Sequence, residues 1–336
     1  MTISKLHLHV TNRCTSYCRH CSSGSGPNAQ RMLTNSDFHY LLNWAYDAGI
    51  QWVEFSGGEP LTLGEDLFEI LQHAHRKSLY TSILTNGCLL DEKTAQKFRA
   101  RDVGRIGISV YGATARTHND FTQTPGAFSQ TLNGIRNAVQ TGIETVVNVI
   151  VTSQNLNELH LLPSLLDDDI DLYTFGSIVP AGRGASLSAY SFPEAGYKHA
   201  INTIQQAFSG INHYFMVSLY PYASNELKRF CMRPLDEVTI DPQGYIIPCC
   251  VLPLTLRSRL GKIKNRDFAE SYAQINDDPI FYWLQQGHHS MRHFLQYPSF
   301  SMNLCASCID MCNLIKSGQY KRNEAYQSTE RRPLNG

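Results

Sequence analysis

Through the first two-thirds of the chain, short runs rich in Val, Ile, Tyr and Phe alternate with longer segments that are apolar on one face only. The strand-like runs are residues 5–10, 52–56, 80–84, 105–111, 145–151 and 171–177. Between them apolar residues recur at helical spacing. Phe38, Leu41, Leu42 and Ala45 predict a helix over 35–48, and Leu67, Ile70, Leu71 and Ala74 predict one over 67–76. The same period covers 94–101, 128–140 and 155–167, with Pro163 as a break inside the last. Thr34, Asn35, Ser36 and Asp37 supply cap-forming residues at the start of the first helix. Six strands alternating with helices predict βα units and a parallel sheet. Six units fall short of eight-fold closure, so an open, partial barrel is expected, with its chemistry at the C-terminal strand ends.

The rhythm stops after about residue 190. Residues 192–208 read as a helix, and 236–247 as a hairpin turning at Asp241-Pro242-Gln243-Gly244. Residues 256–266 hold five Lys/Arg and no acid, and 318–336 are polar. At 336 residues the length prior is two domains. The expected division is 1–220, 221–317 and a tail, 318–336.

Apolar residues make up 42% and charged residues 17%, which excludes a disordered chain. Lys+Arg and Asp+Glu both number 29, and this neutrality argues against a nucleic-acid coat or a polybasic membrane binder. The sequence has no apolar run of 18 residues, and its N-terminus lacks a signal peptide's apolar core. A cytoplasmic protein without a membrane segment is expected.

The ten cysteines change this bland picture. A reduced compartment makes a disulfide framework a poor explanation. Cys14, Cys18 and Cys21 fall within eight residues, and six more lie in the last third. Such clustering points to metal or iron–sulfur ligation. Three thiolates on one loop leave one iron of a [4Fe–4S] cubane open to chelate a ligand, whereas a structural zinc would need a fourth donor such as His20.

Cys-Thr-Ser-Tyr-Cys-Arg-His-Cys at 14–21, followed by Gly57-Gly58-Glu59-Pro60 at the second strand's end, resembles the radical S-adenosylmethionine (SAM) superfamily. His20 stands where that family usually has Tyr, Phe or Trp. The resemblance covers roughly residues 4–215 and implies a partial (β/α)6 TIM-like barrel holding SAM and a [4Fe–4S] cluster with an open iron. It implies that Cys14, Cys18 and Cys21 hold the cluster. Ser56 and Gly57-Gly58-Glu59-Pro60 are then expected at the methionyl end of SAM, with Glu59 or neighbouring carbonyls accepting from its ammonium. Asn86, Ser109 and Asn148 are candidates for the SAM carboxylate and ribose. Arg183, in Pro180-Ala181-Gly182-Arg183-Gly184, pairs with the SAM carboxylate, shields the cluster, or lies in a surface turn. The chemistry implied is reductive cleavage of SAM to a 5′-deoxyadenosyl radical that abstracts a substrate hydrogen atom. A reductant such as flavodoxin or ferredoxin is expected.

Cys231, then Gly244 and Cys249, then Cys305-x2-Cys308-x3-Cys312, resembles the SPASM/Twitch extension of such enzymes. The final spacing is shorter than a full SPASM set. One auxiliary [4Fe–4S] cluster is expected, held by Cys231, Cys249, Cys305 and either Cys308 or Cys312. A four-Cys zinc knuckle and a second auxiliary cluster with a non-Cys ligand remain alternatives. Cys88 and Cys250 are left over as candidate hydrogen-atom donors, needed if the product is an epimer, or as inert buried thiols. The segment from Tyr111 to Phe128 is similar to stretches in SPASM-type peptide-maturing enzymes, so a ribosomal peptide is the expected substrate. A small sugar or nucleoside intermediate, an RNA, and a non-catalytic iron–sulfur scaffold are the alternatives.

Overall fold

The computed structural model describes residues 3–166, 170–187, 194–209, 214–218 and 237–247, and scattered positions from 249 to 317. Its frame is one sheet. Strands β1 (Lys5–Thr11), β2 (Trp52–Gly57), β3 (Tyr80–Thr85), β4 (Val103–Val110), β5 (Glu144–Ile150), β6 (Leu172–Gly176) and β7 (Tyr214–Ser218) lie side by side in chain order. Every neighbouring pair among them is parallel. The crossovers carry α1 (Asn35–Asp47), α2 (Glu65–Arg76), α3 (Glu92–Arg99), α4 (Ala115–Thr122), α5 (Ala127–Gln140), α6 (Leu162–Leu165) and α7 (Glu194–Ala207). This is the α/β, partial TIM-like barrel expected from the sequence, with β7 as a seventh parallel strand beyond the six.

Strand alternation divides the sheet's two faces. Leu6, Leu8 and Val10 of β1, Val53 and Phe55 of β2, Ile106 and Ile108 of β4, and Tyr173 and Phe175 of β6 point one way. They share a continuous core with Phe38, Leu41, Leu71, Phe98 and Ile135 of the helices. The other face, the barrel lumen, carries His7, His9, Glu54, Ser56, Ser82, Ser109, Asn148 and Thr174 in register across β1 to β6. The apolar set drives the helices onto the sheet. The polar set leaves a lumen built for hydrogen bonding.

Local signals set the helix bounds. Thr34 and Asp37 form a reciprocal capping box at α1. Asp91 caps α3, which therefore starts two residues before the periodic stretch at 94–101. The helix predicted over 155–167 is a correction. Residues Leu156–Leu161 are 3-10 and only Leu162–Leu165 is α-helical. Pro163 lacks the N–H that a continuous helix would need, and the Asn155 amide is diverted to the carbonyls of Tyr111 and Ile150.

The hairpin lies where the turn residues place it. Strands β8 (Glu237–Ile240) and β9 (Ile246–Ile247) pair antiparallel, with Gly244 at φ +84°. β8 also pairs parallel with β1. The first described part of the segment that the sequence assigns to the second domain is thus an extension of the barrel sheet.

Candidate active site at the C-terminal strand ends

The cysteine loop leaves β1 and is closed at its base by backbone bonds. Cys14 N donates to Gly26 O at 3.1 Å, and Gly26 N donates to Asn12 O at 3.0 Å. Three elements clamp it from outside. The end of α4 accepts from it, Tyr17 N to Thr122 O and Arg19 N to Phe121 O. The end of β3 reaches in with Asn86, whose amide donates to Thr15 Oγ1 at 2.9 Å and lies 3.7 Å from Cys14 Sγ. The turn after β6 supplies Arg183. Its guanidinium donates to Cys18 O and Ser25 O, both at 2.8 Å, and lies over the Tyr17 ring. Arg183 is therefore a clasp on the cysteine loop, which replaces the surface-turn reading.

The Gly57-Gly58-Glu59 turn lies against the root of the same loop. Gly58 N donates to Thr11 O and Glu59 N to Arg13 O. A Cβ on Gly58 would sit 2.2 Å from Arg13 O, and one on Gly57, at φ +120°, would sit 2.6 Å from Thr11 O. No side chain fits at either position. The glycines admit the neighbouring backbone.

Glu59 follows the two glycines. Its carboxylate is fully buried and accepts from Leu61 N, Thr85 Oγ1 and Asn86 N. Burial pushes its pKa up against these donors. With three donors already on it, the side chain ties β2 to β3 and fixes Asn86. One Oε2 lone pair and the neighbouring carbonyls are left as acceptors, the two alternatives expected for a ligand ammonium.

All three thiols converge electrostatically. Burial pushes Cys14 up to about 11, with Glu59 and Cys21 adding to the rise. Burial, then Cys14 and Cys21, push Cys18 up further. Thiols crowded in this way suit a cationic metal centre, which would displace the protons of Cys14 and Cys18. His20 is held neutral: burial and then Arg183 lower it to about 4. It stacks on Phe121 at 5.0 Å and meets Tyr111 at 4.9 Å, and its Nδ1 is buried without a partner. Three thiols, an orphaned imidazole nitrogen and a polar lumen fit a cluster with one open iron and a polar, aromatic ligand. Farther in, Ser109 hydrogen-bonds Tyr111, and Asn148 Oδ1 accepts from Thr174 at 2.6 Å. Ser109 and Asn148 are register partners, so the structure brings these two candidates together.

Other candidates fall elsewhere. Cys88 sets its thiol 3.8 Å from Thr131 Oγ1 of α5, and burial, with Glu59 nearby, raises its pKa. Cys249 is half-buried and Cys312 buried. Cys231, Cys250, Cys305 and Cys308 lie outside the described residues. Sequence reasoning missed His7, His9, Thr15, Thr85 and Thr174. The alternation of His7 and His9 inside a buried apolar strand was the available signal.

Residues 8–164 match the Radical SAM superfamily model. Together with the barrel and the three-thiol loop, the match defines the class of this segment: residues 8–164 form a radical SAM domain. Among curated relatives it is 28% identical over 294 residues to an AdoMet-dependent heme synthase of Nitratidesulfovibrio vulgaris, covering 80% of this chain and 78% of that one. It is 23% identical over 305 residues to the antilisterial bacteriocin subtilosin biosynthesis protein AlbA of Bacillus subtilis, covering 90% of this chain and 66% of that one. Streptococcus suis SuiB, solved bound to S-adenosylmethionine, has the same fold, with a TM-score of 0.71 at 16% identity over 97% of this chain and 77% of that one. Among the described residues no helix is long and apolar enough to cross a membrane.

Proposed function

We propose that this enzyme matures a ribosomally synthesised peptide by crosslinking, oxidation or epimerisation. The observation that carries the substrate class is the extent of the AlbA match, 90% of this chain against 80% for the heme synthase. SuiB, which shares the fold, has also been solved bound to a precursor peptide. The higher identity to the heme synthases favours a second reading, a small-molecule substrate.

Cys14, Cys18 and Cys21 would hold the cluster, and the 57–60 turn, Asn86, Ser109 and Asn148 would hold SAM. When bound, these groups supply a 5′-deoxyadenosyl radical. The chain's own residues do the rest. Arg183 and Asn86 hold the loop rigid, Tyr111, Phe121 and His20 exclude water from the thiols, and the lumen hydroxyls and amides orient the ligand. An auxiliary cluster on Cys231, Cys249, Cys305 and Cys308 or Cys312 would take an electron if the product is oxidised. A reductant of the flavodoxin or ferredoxin type would supply the first one.

The test mixes anaerobically reconstituted, reduced protein with SAM and candidate precursor peptides. 5′-Deoxyadenosine is expected, with a peptide mass change. A peptide two mass units lighter, with no deuterium taken from D2O, marks oxidation; deuterium at an inverted carbon marks epimerisation. Formation of 5′-deoxyadenosine that responds only to small molecules would support the second reading, and its complete absence would sink both.

A further inference from the structure

Deeper in the lumen than the 57–60 turn lies a buried cluster of ionisable side chains from three adjacent strands. Lys5 Nζ is 2.9 Å from Glu54 Oε1 and 3.4 Å from Glu237 Oε2. His7 Nδ1 is 3.1 Å from Glu237 Oε1, and His7 Nε2 is 2.5 Å from Ser56 Oγ. His7 Nε2 also lies 3.7 Å from Glu54 Oε1, and His9 packs edge-on at 4.9 Å. His7, Glu54 and Glu237 bring one ligand atom each within 4.8 Å of one another, but the Lys5 ammonium already serves as the cation there. Among the described residues, the charged or titratable groups facing His7 are Lys5 and His9 on β1, Glu54 on β2 and Glu237 on β8. His7, Glu54, Ser56 and Glu237 are all more than nine-tenths buried.

Among the described residues two carboxylates face one ammonium, a charge pattern that a second proton on His7 would balance. That proton also decides the direction of a hydrogen bond. In the imidazolium both ring nitrogens donate, Nδ1–H to Glu237 and Nε2–H to Ser56 Oγ. The Ser56 hydroxyl then turns its own proton to the lumen. In the neutral ring with its proton on Nδ1, Nε2 accepts the Ser56 proton. The hydroxyl then presents lone pairs to the lumen. Ser56 immediately precedes Gly57, so this polarity is expressed at the turn where the ligand's charged end is placed.

We propose that His7, held by Glu237, sets whether Ser56 offers the lumen a donor or an acceptor, and that an ammonium-bearing ligand selects the acceptor form. This rests on the reading that the aminoacyl end of SAM lies at the 57–60 turn. Binding then expels the Nε2 proton of His7 to solvent, while the Ser56 proton swings to the vacated nitrogen. No electron moves. His7 is a positioning residue acting through Ser56. Glu237, from the hairpin after the barrel, couples that later segment to the ligand site.

The test is calorimetric titration of SAM into the reconstituted holoenzyme, between about pH 6.5 and 8, in buffers of different ionisation enthalpy. Wild type is expected to release up to about one proton more per SAM than His7→Gln, with the excess fading as pH rises. Ser56→Ala, which keeps His7 and removes only a hydroxyl, should lose the same excess and carries the test if His7→Gln fails to fold. Equal proton counts in wild type and Ser56→Ala, or net uptake relative to the variants, overturns the proposal. Wild-type protein that binds no SAM overturns the underlying reading instead, and the two failures are distinct.

Discussion

At the scale of single residues, the site depends on groups that cannot be enlarged or discharged. Gly58 has the Arg13 carbonyl where a Cβ would be. Gly58→Ala should therefore destabilise the fold by about 2 kcal/mol through overpacking, and should loosen the root of the cysteine loop. Thermal melts and iron content per chain after reconstitution check this together. A second residue gives a pH signature. His118 is buried beside Tyr111, whose N–H it faces, and burial lowers its pKa to about 4. Its folded-state pKa lies below the unfolded value, so its contribution is present above about pH 6.5 and is lost as pH falls toward 4. Between pH 7 and pH 5 that loss is about 2 kcal/mol. Urea melts at the two pH values should show it in wild type. His118→Asn, which keeps an acceptor but does not titrate, should show a drop smaller by that amount.

At the scale of elements, the cysteine loop has little secondary structure of its own and takes its shape from its neighbours. α4 holds one side, β3 another, and the turn after β6 a third. Arg183 makes two bonds to loop carbonyls and stacks on Tyr17, a geometry that Lys cannot reproduce. Arg183→Lys should leave the far-UV circular dichroism unchanged and cut iron retention after gel filtration by about half or more, as expected for the loss of two hydrogen bonds to partly buried carbonyls. An unchanged iron content would show that the other two clamps suffice.

At the scale of the whole molecule, the sheet splits the chain's polarity between its faces. The apolar face binds the helices, and the opposite face lines a polar lumen. The later hairpin is stitched to β1, so it belongs mechanically to the barrel edge. Two clusters predict about eight irons per reconstituted chain. The Cys14→Ala, Cys18→Ala, Cys21→Ala triple variant should keep about four and form no 5′-deoxyadenosine. Four irons in wild type would remove the auxiliary cluster, and none in the triple variant would do the same.

The sequence by itself determined the repeating βα order, the positions of the first six strands, the cap residues before the first helix, the hairpin turn, and the pairing of a three-cysteine loop with Gly57-Gly58-Glu59-Pro60. These depend on spacing and local conformation, which are properties of neighbours along the chain. Only the tertiary structure decided what the side chains face. It turned Glu59 inward onto three donors, sent Cys88 to α5, made Arg183 a clasp, and joined His7 to Ser56 and to Glu237, which is 230 residues away along the chain. A hydrogen bond is set by direction and distance between strands. Alternation along β1 marks His7 as facing the lumen but carries no information on which partner the sheet's register will bring to it.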